Sequence, residues 1–186
     1  LRLLLDADIP GTVVGPIFDP DAAAAAIDAG ERAVVTLAMG GKTDPAYGGA
    51  PVEDVVEVVR ISDGAYLRKG PYSTGTVGAF GPSAAVRHGN VTVLLVSARL
   101  QPEDRGQYRI FGIDPETVNV LACKGINHFR ADFEPIARRL VFVDTGGLVS
   151  VDFTRFPFRN LRRPIWPLDP VAGPDAAAEP QSGSTA

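Results

Sequence analysis

TVVGPIFDPDAAAAAIDAGERAVVTLAM, residues 12–39, alternates strand and helix signals along one continuous segment. Its opening apolar run, residues 12–18, predicts a buried strand. A helix is predicted behind Asp19, because an aspartate N-cap followed by Pro20 suits the first turn of a helix. The alanines that follow favour the helix, and Gly30 is expected to end it. Residues 32–39 then complete a strand–helix–strand unit, which predicts a right-handed crossover and locally parallel pairing.

The middle of the chain is predicted to pair in antiparallel fashion. A hairpin is expected at 52–69, where valine-rich sequence passes through the turn residues Ser-Asp-Gly at 62–64. A second hairpin is expected at 82–99, around the turn His-Gly-Asn at 88–90. Residues 91–96 are almost continuously apolar, so this strand is expected to lie in the centre of the sheet.

The last third returns to alternating strands and helices. The predicted order is a weak helix at 102–111, a strand at 118–123, a loop at 125–131, a helix at 132–139 and a strand at 140–144. Asp132 is taken as the N-cap of the later helix, since Pro135 then falls in the first turn, where its missing N–H costs nothing. The predicted fold class is therefore α/β, a mixed sheet with strand–helix–strand units at both ends and antiparallel hairpins in the middle.

The domain organisation follows from where the apolar pattern begins and stops. One folded domain is predicted at residues 1–169, and residues 170–186 lack apolar periodicity and are expected to be a disordered tail. Residues 1–9 have the spacing of the end of an amphipathic helix, and the first residue is Leu1 rather than Met. We therefore expect the natural chain to extend upstream.

Composition excludes some classes of protein. The chain has 186 residues, 45% of them hydrophobic and 22% charged, which is typical of a domain with a packed core. Its net charge of −4 disfavours nucleic acid as a partner, because nucleic-acid-binding domains usually carry a basic excess. No apolar run approaches the ~20 residues needed to span a bilayer, so no membrane partner is predicted. The single cysteine allows no internal disulfide, which fits a cytoplasmic protein.

Candidate catalytic groups are sparse. The two histidines, His88 and His128, are separated by 40 positions and belong to no zinc-ligand motif. Gly-Gly-Lys-Thr at 40–43 resembles the end of a phosphate-binding P-loop, but Thr36 stands where that motif needs its first glycine. Two alternatives remain for this segment: a glycine-rich exit from a strand, or an anion site formed by Lys42 and backbone N–H groups. No catalytic residue and no metal ligand are predicted.

The most informative polar segment follows the strand predicted at 118–123. Lys124, Asn127, His128 and Arg130 lie in a loop just past the carboxyl end of that strand, where open α/β sheets bind ligands. These groups suit an anionic or peptide-like ligand. The alternative is structural: His128 and Arg130 would cap strand carbonyls or pair with nearby acidic side chains.

Several motifs also carry a resemblance to a known family. They are Val-Gly-Pro-Ile-Phe-Asp-Pro at 14–20, Gly-Gly-Lys-Thr at 40–43, Leu-Gln-Pro at 100–102, Gly-Ile-Asp-Pro at 112–115, Lys-x-x-x-His-Phe-Arg-Ala-x-Phe-x-Pro-Ile-Ala at 124–137 and Arg-Arg-Pro-Ile-Trp-Pro-Leu-Asp at 162–169. In this order they resemble the C-terminal domain of MlrC-type metallopeptidases. One position departs from the family pattern, since relatives often have serine where this chain has Gly125.

The resemblance implies a zinc-dependent hydrolase of peptides, best known for cutting the linearised form of a cyanobacterial toxin. It implies that zinc is bound by a larger N-terminal domain, so zinc is expected in full-length relatives and not in this chain alone. The expected role is an accessory domain that shapes the substrate cleft, inactive by itself, with the N-terminal zinc-binding domain, a peptide-like substrate and a second copy of the chain as candidate partners. The alternatives are a stand-alone binding or scaffolding module without catalysis, and a phosphate-binding enzyme using Lys42.

Overall fold

The computed structural model describes residues 1–147, 150 and 152–170. The chain divides into two compact units, Leu1–Phe142 and Val143–Ala186. Apart from Pro170, the predicted tail at 170–186 lies outside the described residues, and its disorder stays a prediction.

The first unit is built from strands joined by helices and loops. The strands are β1 (Thr12–Phe18), β2 (Val34–Met39), β3 (Val52–Ser62), β4 (Ala65–Leu67), β5 (Val77–Ala79), β6 (Ser83–His88), β7 (Val91–Val96) and β8 (Val120–Cys123). The α-helices are α1 (Arg2–Ala7), α2 (Pro20–Ala29), α3 (Pro45–Gly48), α4 (Gly106–Arg109) and α5 (Arg130–Phe133). Two 3₁₀ turns follow, Glu134–Ile136 in the first unit and Phe153–Arg155 in the second.

Within the described residues, the sheet is mixed and has six strands in the order β2-β3-β6-β7-β1-β8. β1 pairs in parallel with β7 and β8, whereas β2, β3, β6 and β7 pair in antiparallel fashion. The predicted α/β class is therefore confirmed, as are the hairpin of β6 and β7 and the central position of β7. The start of α2 is confirmed as well, because the Asp19 carboxylate accepts the backbone N–H of Ala22 at 3.1 Å.

The predicted parallel pairing across α2 is wrong. β7, β6 and β3 separate β1 from β2, and three successive antiparallel pairings reverse the direction of β2 relative to β1. The position beside β1 is occupied by β7, which is buried over nearly its whole length. β2 instead pairs with β3, its next strand in sequence, in an unbroken register from Val34↔Glu57 to Met39↔Val52.

The predicted hairpin at 52–69 is also wrong. β4 leaves the main sheet and pairs with β5 in a separate two-stranded ribbon. The chain turns at Gly64, a position that requires glycine, because its φ is +81° and a Cβ there would lie 2.1 Å from the carbonyl oxygen of Gly81. The edge of β3 that β4 was expected to join is taken by β6.

The C-terminal elements are shorter than predicted. The predicted helix at 132–139 is one turn of α5 and a 3₁₀ turn, and residues 140–144 form no strand. Asp132 is not an N-cap: its side chain is 4% exposed and accepts the backbone N–H of Arg105 at 2.7 Å. Of the predicted helix at 102–111, α4 alone forms, and the backbone N–H groups of Glu103 and Asp104 before it donate to the side-chain oxygen of Gln107.

The core of residues 1–142 lies on both faces of the sheet. On β7, Val91, Val93 and Leu95 pack with α1 and α2 on one face, while Leu94 and Val96 belong to the cluster on the other. The second cluster is aromatic and contains Tyr66, Phe80, Tyr108, Phe111, Phe129 and Phe133. It supports the ribbon of β4 and β5 and the segment after β8, which together carry the candidate site.

Candidate functional site

The residue that directly precedes the loop after β8 anchors this loop to the core. Cys123 ends β8, and its Sγ lies 3.3 Å from the hydroxyl of Tyr108, which donates to the carbonyl of Gly15 at 2.9 Å. Burial raises the pKa of both the Cys123 thiol and the Tyr108 hydroxyl. A thiol kept neutral in this way is a weak nucleophile, so Cys123 serves as an anchor for the loop.

All four predicted loop residues are exposed: Lys124, Asn127, His128 and Arg130. The His128 ring lies 5.3 Å from that of Tyr72 between centroids, in an edge-to-face arrangement with an interplanar angle of 78°. Sequence reasoning missed Tyr72. Its signal was an aromatic residue in the Gly-Pro-Tyr-Ser-Thr-Gly stretch between β4 and β5, but nothing local indicates that His128 is its neighbour.

Arg130 has a different environment from its loop neighbours. It is the first residue of α5, and its guanidinium makes a two-pronged ion pair with Glu134 at 3.0 and 3.1 Å. The same group lies 6.0 Å from the centroid of the Phe142 ring. These contacts correspond to the structural alternative for Arg130 rather than to a free ligand contact.

Two buried carboxylates hold the loop that carries Tyr72. Asp104 is 1% exposed and accepts the backbone N–H groups of Lys69 at 2.7 Å and Gly70 at 2.6 Å. Gly70 also packs against Asp132, since a Cβ on this glycine would lie 2.8 Å from the Asp132 carboxylate and 3.1 Å from that of Asp104. Because Asp132 belongs to α5, the same contact ties the Tyr72 loop to the segment that follows His128.

Further polar contacts surround these carboxylates. The guanidinium of Arg68 binds Glu103 at 2.5 Å, and Gln107 donates to the Tyr66 hydroxyl at 2.9 Å. Arg105 completes the coordination of Asp132 with its Nε at 3.1 Å. The buried acids near the site are thus satisfied by backbone N–H groups and arginine side chains, and bind neither Lys124 nor His128 among the described residues.

Lys42 lies in a separate environment, beside the start of α2. Its Nζ is 2.8 Å from Asp19, whose fully buried carboxylate also accepts the backbone N–H of Gly40 at 2.8 Å. A shallow concavity beside this pair is lined by Arg99, which stacks 4.2 Å over the Phe18 ring. The ammonium of Lys42 is therefore used to compensate a buried charge, whether or not it also meets a ligand.

The comparisons with known proteins agree with this architecture. The family model described as MlrC C-terminus matches residues 1–160. The chain belongs to the MlrC C-terminus family. Microcystinase C of Sphingomonas sp is 24% identical over 170 residues, covering 91% of this chain and 32% of the relative. A crystal structure of a protein from Mesorhizobium sp. BNC1, described as a candidate metallopeptidase, is 31% identical with a TM-score of 0.77, covering 92% of this chain and 34% of that one.

This MlrC C-terminus domain spans about one third of the length of both relatives. Among its described residues, no group of three or more His, Cys, Asp or Glu side chains could hold a metal ion. His88 bonds the Val55 carbonyl at 3.2 Å and lies 3.1 Å from Asp54, while His128 meets Tyr72. The residues present therefore do not fit the metal that the word metallopeptidase implies. No helix in the described part of the chain is long and apolar enough to cross a membrane.

Proposed function

We propose that this MlrC C-terminus domain is the accessory domain of a zinc-dependent peptide hydrolase, where it shapes the substrate cleft and is inactive alone. Family membership and the metallopeptidase relatives support the reaction class. Zinc would be bound by the part of those longer proteins that this chain does not match. The domain's principal partner would then be an N-terminal zinc-binding domain, on the same or a separate chain.

The observation that carries the cleft role is the loop after β8. Lys124, Asn127 and His128 are exposed on a segment whose neighbours are fixed by the buried carboxylates of Asp104 and Asp132. Polar side chains on a rigid support can meet a peptide with little loss of conformational entropy. These three residues are the proposed contacts for a peptide-like substrate, with Arg130 and Lys42 less available because each is already paired. We also propose that the protein is cytoplasmic, in keeping with its one cysteine. A homodimer is a further part of the proposal.

Metal analysis and a peptidase assay on the purified chain test this proposal. The expected result is substoichiometric zinc and no hydrolysis of linear peptides. Stoichiometric zinc that is lost in His128→Ala, and kept in His88→Ala, would contradict it, because the catalytic metal would then lie in this domain.

The alternative of a stand-alone binding module shares the lack of activity, so the gene must distinguish the two. An open reading frame that continues upstream of the Leu1 codon and encodes a zinc-binding domain supports the accessory role. A start codon at or close to Leu1 supports the module.

A further inference from the structure

Tyr72 and His128 form a corner of two aromatic rings, here named the Tyr72–His128 corner. Their centroids are 5.3 Å apart and their planes meet at 78°. Tyr72 is 45% exposed and His128 is exposed too, so the contact leaves much of both rings open to solvent. Aromatic rings pack favourably at offset or edge-to-face geometry with centroids roughly 4.5–7 Å apart, and a corner of two rings offers both geometries to a third.

The corner is held in place from below. On the Tyr72 side, Asp104 accepts the N–H groups of Lys69 and Gly70, two to three positions before the ring. On the His128 side, Phe129 is 9% exposed and belongs to the aromatic core cluster. The two rings are therefore carried by backbone that is anchored on each side, rather than by loops free to move apart.

The same loop carries peptide-binding groups close in sequence to His128. Lys124 and Asn127 offer an ammonium and an amide, which can bind the carbonyl and N–H groups of a peptide. We propose that the Tyr72–His128 corner is a subsite for an aromatic side chain of a peptide-like ligand, and that Tyr72 determines this specificity. The inference rests on the proposed function. It adds to the proposed ligand-binding loop a preference for aromatic side chains, which the polar groups of the loop cannot supply alone.

The chain's two histidines make the test direct, since each imidazole gives its own proton NMR signal and His88→Ala assigns them. The probes are N-acetyl-phenylalanine amide and N-acetyl-alanine amide, titrated at fixed pH. We expect the phenylalanine probe to shift the His128 signal saturably and leave His88 unmoved, with weaker binding of the alanine probe. Tyr72→Ala should weaken binding of the phenylalanine probe by about threefold to tenfold, and Tyr72→Phe should retain it.

Selectivity separates this role from a structural one. If Tyr72 only braces the loop, Tyr72→Ala lowers the midpoint of thermal unfolding and changes the affinity for both probes alike. Equal affinity of the wild-type chain for the two probes also overturns the subsite. In either case a loss of binding of both probes in Asn127→Ala would still support the peptide-binding loop of the proposed function. No response of His128 to either probe overturns the subsite and the ligand role of the loop together, whereas the accessory role is decided separately by the metal analysis.

Discussion

Two basic loops follow strands of this sheet, and they use their cations differently. The loop after β2 places Lys42 2.8 Å from Asp19, a carboxylate with no exposed side-chain surface. The loop after β8 presents Lys124, which makes no ion pair among the described residues. The first lysine compensates a buried charge, and the second remains available in solvent.

The difference comes from what satisfies the buried acids near each loop. At Asp19 the partners are two backbone N–H groups and the lysine of the loop itself. Near the second loop, Asp104 and Asp132 are satisfied by backbone N–H groups and Arg105, all from outside the loop. The polar side chains of a loop remain available to a ligand when residues elsewhere in the chain already hydrogen-bond the buried polar groups near that loop.

Removing the Asp104 carboxylate should disrupt the hydrogen bonds near the loop after β8 and give the largest loss in the free energy of unfolding. Asp104→Ala leaves the N–H groups of Lys69, Gly70 and Gly106 without their acceptor, and we expect a loss of about 3–5 kcal/mol in the free energy of unfolding. Urea denaturation measures it, and the exposed Glu134→Ala is the control, with a loss of at most about 0.5 kcal/mol. Equal losses in the two variants would show that the buried carboxylate is not the support of the Tyr72 loop.

Replacing the two lysines tests the comparison itself. Lys42→Met leaves the Asp19 carboxylate buried without its cation, so we expect a loss of about 1–2 kcal/mol, moderated by the partial exposure of Lys42. Lys124→Met should change the free energy of unfolding by less than about 0.5 kcal/mol. If both lysines matter equally in urea denaturation, Lys124 has a structural partner and the contrast between the loops fails.

The local signals in the sequence carried over well into the structure. Asp19 caps α2 as expected, because an N-cap depends on residues within three positions of each other. The turn between β6 and β7 was equally readable, since Gly89 and Asn90 lie between two apolar runs. In both cases the chemistry that sets the geometry is contiguous in the chain.

The errors arose where distant residues decide. Asp132 looked like an N-cap, but Arg105 reaches it from 27 positions away and draws it into the core. The sequence favours β4 as the partner of β3, but the chain turns at Gly64 and β4 pairs with β5. Tyr72 and His128 meet across 56 positions, and no periodicity or motif links them. The loop at 124–130 could therefore be proposed from the sequence, but the ring opposite it could not.

The thiol at the start of the second loop gives a smaller effect, which depends on pH. Burial raises the pKa of Cys123 above its ordinary value of 9.0. Stability from the neutral thiol is therefore fully present below pH 9 and is lost as the pH rises through the pKa of the folded protein. We expect the free energy of unfolding to fall above pH 9, less steeply in Cys123→Ala, and native Cys123 to react with iodoacetamide more slowly than in urea. Equal alkylation rates in the native protein and in urea would mean that the end of β8 opens readily, and that β8 does not hold the loop rigid.

The smallest effect is expected at Arg130, and it decides how many cations the second loop offers. Arg130→Ala removes an exposed pair with Glu134 four positions away, so the free energy of unfolding should change by no more than about 0.5 kcal/mol. Binding of the phenylalanine probe should be unchanged as well, because the guanidinium is already committed to Glu134 and Phe142. Glu134→Gln is the informative partner variant, since it weakens the hold on the guanidinium without shortening the side chain. If that change strengthens binding of an anionic peptide while Arg130→Ala does not weaken it, the pair with Glu134 is what keeps Arg130 out of the site.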